Sequence, residues 1–184
     1  MCMRSESENP TIFPELNDVL WRYAEDVSSV LGKNLIGVYV AGSFAVGDAD
    51  EFSDADAMVI TEDEISDEQL AALQILHGQI YKLDSAWAQH LEISYMPRAL
   101  LNERDSVGMT KLWYLDNGQR SLQLHTHDNN WVVRWVLREC GIPLIGPDAR
   151  TLIDPIPEDL LRDELCAVVR IWGGDLVAAP QLMA

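Results

Sequence analysis

Two short groups of polar residues have the types and the spacing for chemistry on phosphates. Gly42 and Ser43 end the apolar run Leu35-Ile36-Gly37-Val38-Tyr39-Val40-Ala41, and Asp54 and Asp56 open a second one through Met58-Val59-Ile60. Glycine lets a backbone approach a ligand with no Cβ in the way, and a serine hydroxyl with free N–H groups at a helix start binds phosphate oxygens. Residues two apart in a strand share a face, roughly 6.5 Å apart along the chain. Asp54 and Asp56 can therefore share one Mg²⁺ or bracket a pair of ions. Gly-Ser alone is a common turn, and Asp-x-Asp recurs by chance in an acidic chain or as a helix cap. Two acids at the start of a strand, however, repel each other at a cost in stability. That cost, next to a phosphate-sized turn, points to a metal site in a nucleotide-using enzyme.

A third acid joins them. His90-Leu91-Glu92-Ile93-Ser94-Tyr95-Met96 alternates, with Leu91, Ile93 and Tyr95 on one face and Glu92 and Ser94 on the other. Glu92 is either a solvent-facing strand residue or a member of the site. A carboxylate there would have its proton affinity lowered by a cation and raised by Asp54 and Asp56.

The elements that must position these groups follow from periodicity. Pro14 starts a helix whose spacing runs Leu16, Val19, Leu20, Tyr23, Val27, Val30, Leu31, closed by Gly32. Ser66 and Gln69 form a capping box, with Ile65 stapled to Leu70, for a helix carrying Leu73, Leu76, Ile80 and Leu83. Residues 98–111 read as a charged helix or loop. Asn117-Gly118 between Leu112–Leu115 and Ser121–His127 suggests a hairpin, with a helix through 107–116 as the alternative. His125 and His127 share a strand face that suits a metal, but no further ligand is evident. Trp113 and Tyr114 either stack on a base or pack in the hairpin. Asp128 or Asn129 caps a helix carrying Trp131, Val132, Trp135 and Val136, ended by Gly141 and Pro143. Arg134 and Arg138 share a face of it, to meet a triphosphate or, as such pairs more often do, surface acids. Residues 144–156 read as loop, and a last helix runs from about Pro157 to Trp172, closed by Gly173-Gly174.

Composition narrows the class. A chain of 184 residues with 48% hydrophobic content forms one domain, or one domain and an appendage. No apolar stretch approaches the roughly 18 residues of a membrane span, and Met1–Pro10 is a polar, loose tail without a signal core. A cytoplasmic protein is expected. Cys2, Cys140 and Cys166 lack metal spacing and read as reduced thiols, two of them buried on helices. The net charge of −17 repels nucleic acid and favours a cationic partner, though it is also ordinary solubility charge.

Gly-Ser, a short spacer and Asp-x-Asp together resemble the signature of the nucleotidyltransferase superfamily. The units Gly141-Ile142-Pro143-Leu144-Ile145-Gly146-Pro147 and Leu152-Ile153-Asp154-Pro155-Ile156-Pro157 are similar to the linker of streptomycin/spectinomycin-type aminoglycoside adenylyltransferases. The resemblance covers about residues 35–172. It implies an α/β (α+β) nucleotidyltransferase fold, a small mixed sheet flanked by helices with a short C-terminal helical appendage. It divides the chain into a catalytic domain at 11–143 and, at 144–184, a linker with the start of a helical domain. It also implies Mg²⁺-dependent transfer of AMP from ATP to a hydroxyl of a small cationic acceptor such as an aminoglycoside, hence antibiotic resistance. Gly42 and Ser43 would hold phosphate, Asp54, Asp56 and Glu92 two Mg²⁺ ions, and Glu92 the acceptor hydroxyl. The family continues into a helical bundle for which little chain is left here, so the expectations are a short gene, a second subunit closing the cleft as in a homodimer, or a different acceptor. The alternative is a minimal nucleotidyltransferase acting as an antitoxin that binds or adenylylates a helical toxin. Residues 98–130 match the drug-modifying enzymes poorly.

Overall fold

The structure, a computed structural model, describes residues 9–178. Most of the expected loose tail at 1–10 lies outside the described residues, as does Cys2. Helix α1 (Pro14–Leu31) leads into strand β1 (Leu35–Val40), the short helix α2 (Gly42–Val46) and strand β2 (Ala55–Thr61). Helix α3 (Asp67–Ile80) crosses to strand β3 (Leu91–Pro97), followed by the hairpin β4 (Leu112–Leu115) and β5 (Gln123–His125). Helix α4 (Trp131–Cys140), strand β6 (Ile142–Ile145) and helix α5 (Glu158–Ala178) complete the described residues.

The strands form one sheet in the order β5-β4-β3-β2-β1-β6. Only β2 and β3 pair in parallel, because α3 carries the chain back over the sheet between them; every other neighbour is antiparallel. The expected small mixed sheet flanked by helices is what forms. One face, with Val38, Val40, Ala57, Val59 and Ile93, packs on α1 and α3. The other, with Tyr39, Met58, Ile60 and Met96, packs on Leu137 of α4 and on Leu100 and Ile153. With both faces covered, the central strands are almost continuously buried. One polar chain crosses the first core: Tyr23 Oη and Tyr95 Oη are 2.8 Å apart, and Tyr95 Oη lies 2.9 Å from His77 Nε2. Burial holds His77 neutral, its pKa pushed down to about 3.

The local signals for α1 and α3 hold. Gly32 closes α1 at φ +54°, and the Ser66–Gln69 capping box is formed on both sides. Several other expectations are corrected. Residues 98–111 contain one short 3₁₀ turn and otherwise loop, and 112–115 is strand rather than the alternative helix. Residues 142–145 are an edge strand, not loop; Pro143 fits there because an edge strand leaves one row of N–H groups unused. The N-cap of α4 is Asn130, whose side chain accepts from the Val133 N–H, rather than Asp128 or Asn129. Helix α5 continues through Gly173-Gly174 to Ala178, since mid-helix glycine costs only about 1 kcal/mol and does not compel a stop. Cys140 is partly buried and Cys166 exposed, so neither helical thiol is a core residue. Among the described residues no helix is long and apolar enough to cross a membrane.

Arg134 and Arg138 are both engaged by protein partners, and Arg134 is closed off from solvent. Arg134 is fully buried and donates to the Glu103 carbonyl at 3.0 Å, Ser106 Oγ at 3.2 Å and Asn129 Oδ1 at 2.7 Å. Asn129 in turn donates to the carbonyls of Ser106 and Thr110, so these two side chains pin the 101–111 loop to α4. Arg138 donates to the Ile153 carbonyl and pairs with Glu139. The two arginines are thus held by the carbonyls of Glu103 and Ile153, by Ser106 Oγ and Asn129 Oδ1 and, for Arg138, by an acid, Glu139. Arg134→Ala leaves several buried acceptors unpaired and opens a cavity, and is expected to cost about 3–5 kcal/mol. At this chain size that lowers Tm by roughly 6–15 °C; an unchanged Tm in thermal unfolding would contradict the pinning role.

Candidate active site

The antiparallel pairing of β1 with β2 brings the end of β1 beside the start of β2, so Gly42 and Asp56 meet. Parallel pairing then sets Asp56 directly beside Glu92 on β3. Both point to the α4 side of the sheet, as the alternation requires: Ala55, Ala57, Leu91 and Ile93 belong to the opposite core. Asp54 precedes β2 on the same side, where Asn117 approaches its carboxylate at 3.5 Å.

Asp56 is the electrostatic centre. Burial, followed by the charges of Asp54, Glu92 and Asp128, pushes its pKa up to about 7, against a hydrogen bond from its own backbone that lowers it. Glu92, with 12% of its side chain exposed, is also raised, first by burial; the Tyr114 hydroxyl and His127 oppose that rise. Gly42 sits against Asp56 so closely that a Cβ there would lie 1.8 Å from Asp56 Oδ2. The hydroxyl of Ser43 is buried and has no hydrogen-bond partner. Gly42, Asp56, Glu92 and Asp128 line a cavity of about 200 Å³ closed by Val132, Val133 and Val136 of α4.

Sequence reasoning missed the far wall of this cavity. Asp128, expected as a helix cap, accepts from Ser94 Oγ at 2.6 Å and faces the acids. His127 Nδ1 lies 3.5 Å from both Glu92 Oε1 and Asp128 Oδ1. Ligand atoms of Glu92, His127 and Asp128 all fall within 4.8 Å of one another. The shared strand face of His125 and His127 was a partial signal: the His127 N–H donates to His125 Nδ1 at 3.0 Å, while the His127 ring faces Glu92 and Asp128. Tyr114 is buried, donates to Asp116 Oδ1 at 3.1 Å and lies with its ring against both histidines, while Trp113 packs on the first core. Trp113 thus packs on the core and Tyr114 within the hairpin.

The donor set fits a divalent cation. Carboxylate oxygens suit hard ions such as Mg²⁺, and four acids in one cleft repel each other unless a cation or protons join them. The unpartnered Ser43 hydroxyl and the space reserved by Gly42 fit an oxygen-rich ligand beside that cation.

Residues 22–107 match the nucleotidyltransferase domain family. No curated protein matches the chain. Among solved structures, the chain is similar to spectinomycin adenyltransferase AAD(9) from Enterococcus faecialis, solved with ATP and spectinomycin, at 17% identity and a TM-score of 0.61. That likeness, which shows the shared fold, covers 79% of this chain, and the chain spans 62% of the length of the adenyltransferase. Strands β1, β2 and β3, helices α2 and α3, and the acids Asp54, Asp56 and Glu92 all lie inside the matched segment, so residues 22–107 carry a nucleotidyltransferase domain.

Proposed function

We propose that the protein transfers AMP from ATP to a hydroxyl of a small, cationic acceptor in the cytoplasm, with Mg²⁺ bound by Asp54, Asp56 and Glu92. The observation that carries this is Asp56: a carboxylate buried among three other acids, with a glycine cut to fit it and an unpartnered serine hydroxyl next along the chain. Gly42 and Ser43 receive the phosphates. Glu92, at the cleft wall, orients the acceptor hydroxyl and takes its proton as the oxygen attacks the α-phosphorus in line; the bond to pyrophosphate breaks and AMP passes to the acceptor. Bound Mg²⁺ supplies neutralisation of the charge on the leaving pyrophosphate. The acidic surface and cleft attract ammonium groups, which supports aminoglycosides as the acceptor class and drug resistance as the consequence. Residues 11–143 form the catalytic domain in this reading, and 144–184 the linker and the start of a helical domain.

The test is ATP binding with and without Mg²⁺, followed by incubation with labelled ATP and a panel of aminoglycosides. Asp54→Asn is expected to weaken Mg²⁺-dependent ATP binding by about tenfold or more, equivalent to 1.4 kcal/mol. Ser43→Ala is expected to weaken ATP binding several-fold with no loss in Tm, because its hydroxyl has no partner to lose in the free protein. ATP affinity unchanged in both variants would remove the metal and phosphate assignments. AMP incorporated into protein rather than drug would redirect the acceptor assignment.

A further inference from the structure

The sheet sets the polar groups of the site in a row. From β1 towards β5, the α4-side face carries the Gly42 turn, then Asp56, then Glu92 directly beside it. Strand β4 runs antiparallel to β3, with Ile93 opposite Leu115 and Ser94 opposite Tyr114. Continuing that register by one residue sets Asp116 opposite Glu92. The Gly42 turn and Asp116 therefore stand on opposite sides of the two central acids. Beyond Glu92, the β4–β5 hairpin holds a second cavity, of about 290 Å³, lined by Tyr114, Asp116, Gln123, His125 and His127. The two cavities meet at Glu92. His127 Nδ1 is 3.5 Å from Glu92 Oε1, and the Tyr114 hydroxyl reaches Glu92 as well as Asp116.

We infer that the hairpin cavity is the acceptor subsite, and that it selects a saturated six-membered ring bearing both ammonium and hydroxyl groups. The inference rests on the transfer reading above, in which an in-line attack needs acceptor and phosphate turn on opposite sides of the reacting acids. The rings of Tyr114, His125 and His127 form the apolar part of the cavity, their centroids 5.8, 5.6 and 6.0 Å apart. Aromatic surface suits the C–H face of a saturated ring, and a few placed polar groups fix its orientation. The His127 backbone N–H donates to His125 Nδ1 at 3.0 Å, so His125 is neutral and carries its proton on Nε2, a donor. Asp116 accepts, its carboxylate steadied by the Tyr114 hydroxyl at 3.1 Å, and the exposed Gln123 amide does both. Neighbouring amines and hydroxyls on one ring present the matching mixture. No Lys or Arg lines either cavity, so the field of Asp116, Glu92 and Asp128 favours an ammonium group. The bases nearest in sequence are placed elsewhere: Arg120 lies over the Tyr81 ring at 4.2 Å, and Lys111 precedes β4 and lines neither cavity. The volume is at the small end of the roughly 300–1,000 Å³ usual for ligand sites, which suits one ring.

The probe is 2-deoxystreptamine, a cyclohexane ring with two amines and three hydroxyls, set against myo-inositol, the same ring with hydroxyls only. Isothermal titration of the 184-residue chain, without ATP, is expected to give Kd on the order of 1 mM for the amine ring. Binding of myo-inositol should be weaker by about tenfold or more. Asp116→Asn is expected to erase that preference with Tm unchanged, because the side chain is exposed and asparagine still accepts from Tyr114. Gln123→Ala is expected to weaken 2-deoxystreptamine several-fold. Both variants should bind ATP with Mg²⁺ as the parent does, since neither residue lines the cavity of Gly42 and Asp56. In transfer assays they should raise the acceptor KM and leave kcat near the parent's. Equal affinity for the two rings, 2-deoxystreptamine binding indifferent to both substitutions, or ATP binding weakened by Asp116→Asn would each overturn the assignment. A parent that binds the amine ring through Asp116 yet transfers no AMP keeps the subsite and removes the transfer reading. AMP transfer whose acceptor KM ignores both substitutions removes the subsite alone.

Discussion

Asp56→Asn is expected to abolish nucleotidyl transfer and, in metal-free protein, to make the fold more stable at alkaline pH. Both effects come from one carboxylate. The folded chain raises its pKa to about 7, chiefly by burial and then by Asp54, Glu92 and Asp128. An unfolded aspartate titrates near 3.9. The folded state therefore binds the proton more tightly. Its contribution to stability is fully present below about pH 4 and is lost as pH rises through about 7. A difference of about three pH units amounts to roughly 4 kcal/mol, an upper figure because the side chain is not fully buried. Asparagine keeps the shape and carries no charge to desolvate. Metal-free Asp56→Asn should unfold at nearly the parent's Tm at pH 4, and several degrees above it at pH 8. Excess Mg²⁺ is expected to narrow the pH 8 gap by stabilising the parent alone, because the cation favours the ionised carboxylate. Loss of transfer on the order of 10³ or more accompanies this, the equivalent of about 4 kcal/mol of transition-state charge stabilisation. Parallel Tm-against-pH curves for the two proteins in chelator would show that Asp56 carries no such burden.

How much of this was legible in the chain depended on whether a signal was local. The capping box at Ser66, the closing glycine at Gly32 and the alternation around Glu92 are short-range patterns, and each formed as read. A resemblance placed Glu92 with Asp56 and periodicity alone did not, because their neighbourhood follows from a tertiary fact, the parallel register of β2 and β3. Asp128 was misread because Asn130, two residues on, is an equally good cap, and only the folded hairpin shows which residue the helix uses. Arg134 was misread for a different reason. A buried guanidinium held by the Glu103 carbonyl and Ser106 Oγ, some 30 residues away in sequence, leaves no trace in helix spacing. Strand β6 was hidden by Pro143, a residue that argues against strand except at an edge, and edge position is a property of the sheet.

Gly42→Ala is expected to be nearly as damaging to transfer as Asp56→Asn, although it removes no functional group. Gly42 adopts φ +55°, where an alanine costs about 1–2 kcal/mol. Its Cβ would also fall 1.8 Å from Asp56 Oδ2 and 2.5 Å from Asp56 Cγ, far inside contact distance. The neighbours cannot absorb this. Asp56 is fixed by β2 pairing on both sides, and the Ala41 N–H donates to its carbonyl at 2.9 Å. Either the carboxylate swings out of the cleft or the turn opens, and either one separates the phosphate-binding turn from the proposed metal ligand. ATP binding should then lose its Mg²⁺ dependence, with transfer down by about 10²–10³. A double-mutant cycle isolates the cause. In an Asp56→Ala background the two closest clashes vanish, leaving only the approach to Asp56 Cβ at 2.9 Å, so Gly42→Ala should cost little beyond its backbone strain. The two substitutions should therefore couple by about 1 kcal/mol or more in unfolding free energy. Additive costs would place the damage of Gly42→Ala in the backbone alone, and Asp56 would then not be the group for which position 42 has no side chain.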